Sequence, residues 1–337
     1  YAPMARECGI QHFSVFSCDE ARRVNTVVPD ATVMIMGHIT TENMEWVIQN
    51  DIEFFVFDMH RLRQALEVSK RVGKPAIIHL EIETGMNRTG MESEFFPEVA
   101  ELFKNHTENL RFKGLCTHFA GAESIANNHR VRKQIVRFKK TRKWFEGQGL
   151  KPEQCHTACS AASISYPDTQ MDMVRIGIML YGFWPSKETR MGYQVRHKSS
   201  DSPLRRLISW KSTVMSLKHV EAGDFIGYGT SYLADQPMRI AAIPVGYGYG
   251  YSRVLSNQGR VIINGNRVGV IGMVNMNMML VDVTLVDSVK PGDDVILIGQ
   301  QGDVEMSVSA FGDLSVQVNY ELLTRLPYSI PRKVINH

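Results

Sequence analysis

Between residues 11 and 186, short apolar runs alternate with stretches whose apolar residues recur every three to four positions. That pattern reads as strands and amphipathic helices in turn. Residues 12–16, 33–36, 53–57, 76–80, 115–119, 155–158 and 173–180 are the seven strand candidates. The spacing predicts helices over 41–49, along Leu62, Ala65, Leu66, Ser69 and Val72, around 96–104, and over 131–145 with Val131, Ile135, Phe138 and Phe145 on one side. Ser17 and Glu20 stand at capping-box spacing for a further helix. Strict alternation predicts a parallel sheet of βα units. A closed eight-stranded barrel needs one strand more than the seven, so an upstream strand is expected to complete it.

After Tyr181 the pattern changes. Residues 187–206 are polar, with Ser199-Ser200 and Pro203, and read as a linker. Short β-rich segments follow, separated by turns such as Lys290-Pro291-Gly292-Asp293 and Gln301-Gly302-Asp303. Asn264-Gly265 between apolar runs is a strong hairpin signal. The expected organisation is a (β/α) barrel over 1–190 and a mainly antiparallel β domain over 205–337.

Composition removes several classes. The 337 residues are 44% hydrophobic and 22% charged, close to the globular average, which excludes disorder and coiled coil as organising principles. Lys plus Arg exceed Asp plus Glu by 38 to 35, a net charge of +3, so neither nucleic acid nor an anionic membrane is expected as partner. A small molecule is. The basic helix around 131–145 reads as a solvated outer face. No apolar run reaches the roughly 20 residues of a membrane span. Five cysteines, odd in number and mostly scattered, do not form a disulfide framework and fit a cytoplasmic protein. Cys155 and Cys159 lack the second ligand pair of a zinc site, so no metal is expected.

In a parallel barrel, chemistry gathers where strands end and βα loops begin. There lie Glu81, Glu83 and Arg88 with the loop Glu83-Thr84-Gly85-Met86-Asn87-Arg88-Thr89-Gly90; His118; His156 and Ser160; and Arg175, Gly177 and Ile178. Any one of these alone reads as a structural ion pair or a satisfied histidine; their shared rim makes a site. Ser160 and the Gly177-Ile178 turn offer a hydroxyl and backbone N–H groups to a phosphate. Gly246-Tyr247-Gly248-Tyr249-Gly250 lacks the third glycine spacing and the following helix of a dinucleotide loop. It reads either as a tight turn or as a mount for Tyr247, and spacing does not choose.

These segments, together with Thr117-His118-Phe119-Ala120, 156–163, 173–182 and Tyr328-Ser329-Ile330-Pro331-Arg332, resemble the alanine racemases, in family order and over almost the whole chain. The resemblance implies a TIM-like α/β barrel with a C-terminal β domain, pyridoxal 5'-phosphate as cofactor, and a homodimer with active sites shared between one subunit's barrel and the other's β domain. It implies that L- and D-alanine are interconverted by two opposed bases, supplying D-alanine for peptidoglycan. Tyr247 matches one base, entering from the partner subunit, and His118 the histidine that hydrogen-bonds it. A phenol with a pKa near ~10 must be tuned downward to act at neutral pH, and cationic neighbours favour its anion. Arg175 matches the arginine facing the cofactor's pyridine nitrogen, with His156 behind it. Ser160, Gly177, Ile178 and Tyr328 match phosphate-binding positions. Arg88 matches the arginine near the cofactor's phenolic oxygen and the substrate carboxylate, and the backbone N–H of Met276 matches another carboxylate contact.

The chain departs from the family pattern at several points. Glu81 stands where many members carry a carbamylated lysine, and its carboxylate is expected to orient Arg88 directly. Asn277 stands in Asn275-Met276-Asn277 where an aspartate is common, which keeps open a broader-specificity or serine racemase. Tyr249 replaces a common acidic residue. No lysine occupies the place of the family's cofactor lysine, since Lys70 and Lys74 fall in or just after a helix; it is expected upstream of Tyr1. If it were truly absent, a non-catalytic pyridoxal-phosphate-binding protein would be the remaining alternative.

Overall fold

Six short apolar segments pair side by side as parallel strands: β1 (His12–Val15), β2 (Thr32–Ile35), β3 (Glu53–Val56), β4 (Ala76–Glu81), β5 (Leu110–Cys116) and β6 (Gln154–His156). Their order in the sheet is their order in the chain. That progression is a barrel's; a doubly wound sheet reverses at its switch point. All four residues of β3 are buried, as expected for a strand covered on both faces. The structure is a computed structural model and describes residues 1–308 and 319–335.

The helices of this unit are α1 (Ala2–Glu7), α2 (Cys18–Val27), α3 (Thr41–Gln49), α4 (Met59–Val72), α5 (Phe96–Asn105), α6 (Asn128–Gly147), α7 (Ser160–Ser165) and α8 (Lys187–His197). Helix α2 begins with both halves of the capping box that Ser17 and Glu20 announce. Helix α4 is capped by the Asp58 side chain and ends on Gly73 at φ 72°, a left-handed turn that glycine takes without strain.

Three sequence expectations need correction. Residues 173–180 do not form a seventh strand: one parallel bridge joins Cys159 to Arg175, and Ile178–Tyr181 is a 3-10 turn. The Gly177 N–H goes to the Ser160 hydroxyl, not to a neighbouring strand. Strand β5 begins five residues before the expected 115, because Arg111 and Lys113 interrupt the apolar run and pair with Glu153. The expected linker over 187–206 contains helix α8, capped by the Ser186 hydroxyl.

The chain falls into two units, one of Tyr1–Gly177 with Trp184–Ser202, the other of Ile178–Phe183 with Pro203–His337. The second is mainly antiparallel: β7 (Trp210–Thr213), β8 (Ser216–Val220), β9 (Met238–Ile243), β10 (Arg260–Ile263), β11 (Asn266–Ile271), β12 (Met279–Asp282), β13 (Asp294–Gln301) and β14 (Val304–Met306), with helix α9 (Asn319–Arg325). The sheet runs β14-β13-β10-β11-β12-β9-β8, and β7 pairs with β13. The expected hairpin joins β10 to β11, with Asn264 at φ 45° and Gly265 at φ 75°. Val261, Ile262, Ile263 and 295–298 form its core, which also buries Ile178 and Phe183. Among the described residues no helix is long and apolar enough to cross a membrane.

Candidate active site

At the C-terminal ends of the parallel strands, Arg175 lies half-buried, and its two Nη groups are fully engaged. Nη1 meets His156 Nδ1 and donates to the His156 carbonyl at 2.9 Å; Nη2 donates to the carbonyls of Thr117 at 2.7 Å and Thr157 at 3.3 Å. Four acceptors thus take four N–H groups. The fifth, on Nε, has no partner among the described residues, which leaves a fixed donor for a ligand atom. His156 is 0% exposed, and burial, with Arg175 beside it, pushes its pKa well below the usual histidine range. It is therefore a neutral acceptor.

His118, at the exit of β5, is lowered to about 4 by burial and then by Arg175 and Arg88. The cations beside this histidine are the arginines; the ring itself is neutral. Its carbonyl receives the Gln134 amide at 3.0 Å, while Gln134 Oε1 accepts the Ala120 N–H at 2.9 Å and Gln134 Nε2 also reaches Thr84 Oγ1 at 3.2 Å. Thr84 in turn meets Thr117 at 2.8 Å. Gln134, on α6, thus ties the loops after β4 and β5 together. It was missed from sequence, although a glutamine at i+3 from Val131 inside the apolar stripe was the signal.

The loop 83–90 is held from two sides. The Glu83 carboxylate accepts the N–H groups of Gly85 and, at 2.9 Å, Asn87. Arg130 and Arg137 of α6 donate to the carbonyls of Gly85 at 2.9 Å and Thr84 at 3.1 Å. So part of the basic face of α6 serves this loop. Gly90 has φ 128°, and a Cβ there would stand 2.6 Å from the Glu83 nitrogen. Glu81 is buried, which raises its carboxyl pKa against a hydrogen bond from Thr89 and the charges of Arg88 and Arg175. Arg88 is exposed and holds no ion pair among the described residues. Glu81 therefore acts on Arg88 through its field, and the direct contact expected from sequence is replaced by Thr89.

Ser160 opens α7, and its hydroxyl accepts the Gly177 N–H at 2.9 Å, keeping its own proton to donate. Lys74 is engaged with Asp51 at 2.8 Å, and Lys70 lies beside Glu67 on α4.

The remaining expected residues lie in the second unit. Tyr247 sits in a 3-10 turn after β9, its N–H bonded to the Asn275 carbonyl at 3.0 Å, and Gly248 bonds the Met276 carbonyl at 2.8 Å. A Cβ on Gly246 would stand 2.0 Å from the Asn275 oxygen. Gly246 therefore lets two backbones touch, and the segment is the tight turn that its glycines suggest, with the Tyr247 backbone held within it. Asn277 Oδ1 lies 3.5 Å from the Cβ position of Gly248, so Tyr247, Met276 and Asn277 form one cluster. Tyr247 is 42% exposed and Met276 56%. Ile178 is buried, and Tyr328 is exposed beneath the Arg332 guanidinium at 5.9 Å.

Comparison with known proteins places both halves of the chain in one family. The sequence model for the alanine racemase N-terminal domain matches residues 1–185, and that for the alanine racemase C-terminal domain matches 207–334. The alanine racemase of Leptospira interrogans is 32% identical over 337 residues, covering 99% of this chain and 85% of its own length. That of Carboxydothermus hydrogenoformans is 34% identical over 327 residues, covering 96% and 85%. Among solved structures, alanine racemase from a D-cycloserine-producing Streptomyces lavendulae superimposes with a TM-score of 0.91 at 25% identity, covering 100% of this chain and 86% of that one. The Bacillus anthracis alanine racemase with bound L-Ala-P gives 0.86 at 28%, covering 99% and 84%. With both of its domain models matched in order and relatives above 30% identity along nearly all of its length, this chain belongs to the alanine racemase family.

Proposed function

We propose that the protein racemises alanine with pyridoxal 5'-phosphate as cofactor, as a cytoplasmic homodimer that supplies D-alanine for peptidoglycan. The observation that carries the reading is Arg175: its four Nη N–H groups are fixed by the protein and its Nε donor remains. A neutral histidine behind a guanidinium makes a charged donor suited to an aromatic ring nitrogen that stays unprotonated. A phosphate takes hydroxyl and backbone N–H donors, and the Ser160 hydroxyl, which accepts the Gly177 N–H and keeps its own proton to donate, suits the cofactor's other end, with Ile178 and Tyr328 assigned beside it by the family match. When bound, the cofactor supplies an electron sink that acidifies the substrate α-carbon, and a weakly protonated ring favours return of the proton over side reactions.

The chain's own residues do the rest. Arg88 and the Met276 N–H hold the substrate carboxylate. Tyr247 takes or gives the α-proton on one face at its phenolic oxygen, reaching the site from the partner subunit. His118, neutral, accepts or donates one hydrogen bond without adding charge, so Arg175 and Arg88 are the cations that favour the phenolate. No residue of these 337 is assigned to the opposite base or to the covalent link.

The test is L-alanine incubated with the full-length protein and pyridoxal 5'-phosphate in D2O. Loss of optical activity with deuterium entering at the α-carbon is the expected result. Carbon dioxide release without D-alanine would replace racemase by decarboxylase. Running L-serine alongside decides whether Asn277 widens the substrate range.

A further inference from the structure

We propose that Glu53 and His79 are positioning residues for this reaction, fixing Arg175 through His156 by a one-way chain of hydrogen bonds. The proposal rests on the role given to Arg175 above. A guanidinium only donates, so His156 Nδ1, which faces Arg175 Nη1, must be the unprotonated nitrogen. The single proton of the neutral ring then sits on Nε2, 2.8 Å from His79 Nδ1. His79 Nδ1 is thereby an acceptor and its proton lies on Nε2, which donates to Glu53 Oε2 at 2.8 Å. Each link dictates the next. A positive charge at Arg175 and a negative charge at Glu53 on β3 are joined through two neutral imidazoles, His79 on β4 and His156 on β6.

Two features outside the chain of hydrogen bonds serve it. Strand β5 runs between β4 and β6, and its Gly114 is the reason the two rings can meet: a Cβ there would stand 2.0 Å from His79 Nδ1. Phe55, paired with His79 in register, packs against both rings at 6.3 and 5.8 Å and under the Arg175 guanidinium at 5.9 Å. The groups facing the chain do not reverse its direction. Glu53 also takes a hydrogen bond from His12 on β1 at 3.2 Å; His79 feels Lys113 and His12 at longer range; His156 feels Arg175, His79 and His12.

Removing the Glu53 charge removes the anchor of this order. The amide of Glu53→Gln presents either an oxygen or an NH2 to His79, so both tautomers of each ring become available, one of which aims an N–H at Arg175. Side-chain 15N spectra of the histidines, recorded without cofactor, read this directly. His79 and His156 are expected to be neutral Nε2–H rings at neutral pH, and Glu53→Gln to show mixed tautomers. In the cofactor-loaded protein, Glu53→Gln is expected to lower kcat by about 10–100-fold, the usual scale for outer-sphere partners, to shift the absorbance of bound pyridoxal phosphate, and to leave KM for alanine unchanged. Gly114→Ala, which alters no polar group, should reproduce these effects. An Nδ1–H tautomer or a titrating ring in the wild type would overturn the proposal. So would a folded Glu53→Gln variant with wild-type kcat and cofactor absorbance. Wild-type protein that fails to racemise alanine would refute the functional reading instead, and the two are separable because the tautomer spectra need neither cofactor nor substrate.

Discussion

His118 shows how a neighbourhood sets a side chain's charge. Burial, Arg175 and Arg88 all oppose protonation and lower it to about 4. In the unfolded chain it titrates near its ordinary value of ~6.5. The unfolded state therefore binds more protons than the folded state between those two values, and His118 makes stability fall as pH drops from about 6.5 to about 4. The accompanying kinetic expectation is that kcat/KM shows no inflection from His118 above pH 5, and that its NMR signal stays that of a neutral ring; a titration near ~6.5 would refute the placement. Gln134 is the other residue whose loss should be felt. Its replacement by Leu leaves the Ala120 N–H and the His118 carbonyl without their partner. A cost of about 1–3 kcal/mol for each buried orphan is expected, read as a lowered melting temperature with lower activity. Neither effect is legible in the sequence: the strand exit and the family match single out His118 without its charge state, and nothing in the spacing of Val131, Ile135 and Phe138 singles out Gln134.

Elements were legible where apolar periodicity marks them. The candidates for β1 to β4 fall within a residue or so of the observed strands, and α3 occupies the residues its spacing predicts. Where periodicity is absent the reading failed for physical reasons. Helix α8 has little apolar face to detect, with Met191 and Val195 exposed; Ser186 caps it, and Glu188 reaches Ser124 and Ile125. The run at 173–180 is apolar but its amide at Gly177 is claimed by Ser160, so hydrophobicity alone misnamed it a strand. The turn at Tyr247 makes a sharp prediction at this scale. Gly246→Ala drives a Cβ into the Asn275 carbonyl and should move the phenol. Activity should fall by ~10²-fold or more, toward the level of Tyr247→Phe, given what one acid–base group contributes. Unchanged activity in Gly246→Ala would mean that Tyr247 does not depend on this backbone contact.

For the whole molecule, the residues proposed to serve the reaction fall in two units of different construction: Arg88, His118, His156, Ser160, Arg175 and Gly177 in one, Ile178, Tyr247, Met276, Asn277 and Tyr328 in the other. That division could be read from the family resemblance, but no periodicity in the sequence announces which side of it Ile178 falls on. The segment Ile178–Phe183 belongs to the second unit although Trp184–Ser202 returns to the first. A fragment starting at 203 lacks Ile178 and Phe183, two side chains buried in that unit's core. It should be less stable than one starting at 178 by several kcal/mol, given roughly 1.5–3 kcal/mol for each large buried side chain; equal denaturation midpoints would refute the assignment. The same threading imposes an order in time. On the ribosome, Ile178–Phe183 emerges before any other part of the second unit exists, and these residues must wait, their apolar faces uncovered, until β7 and the strands after it have been made. A chaperone or a slow stretch of translation acting after residue 183 would meet the nascent protein at its most exposed.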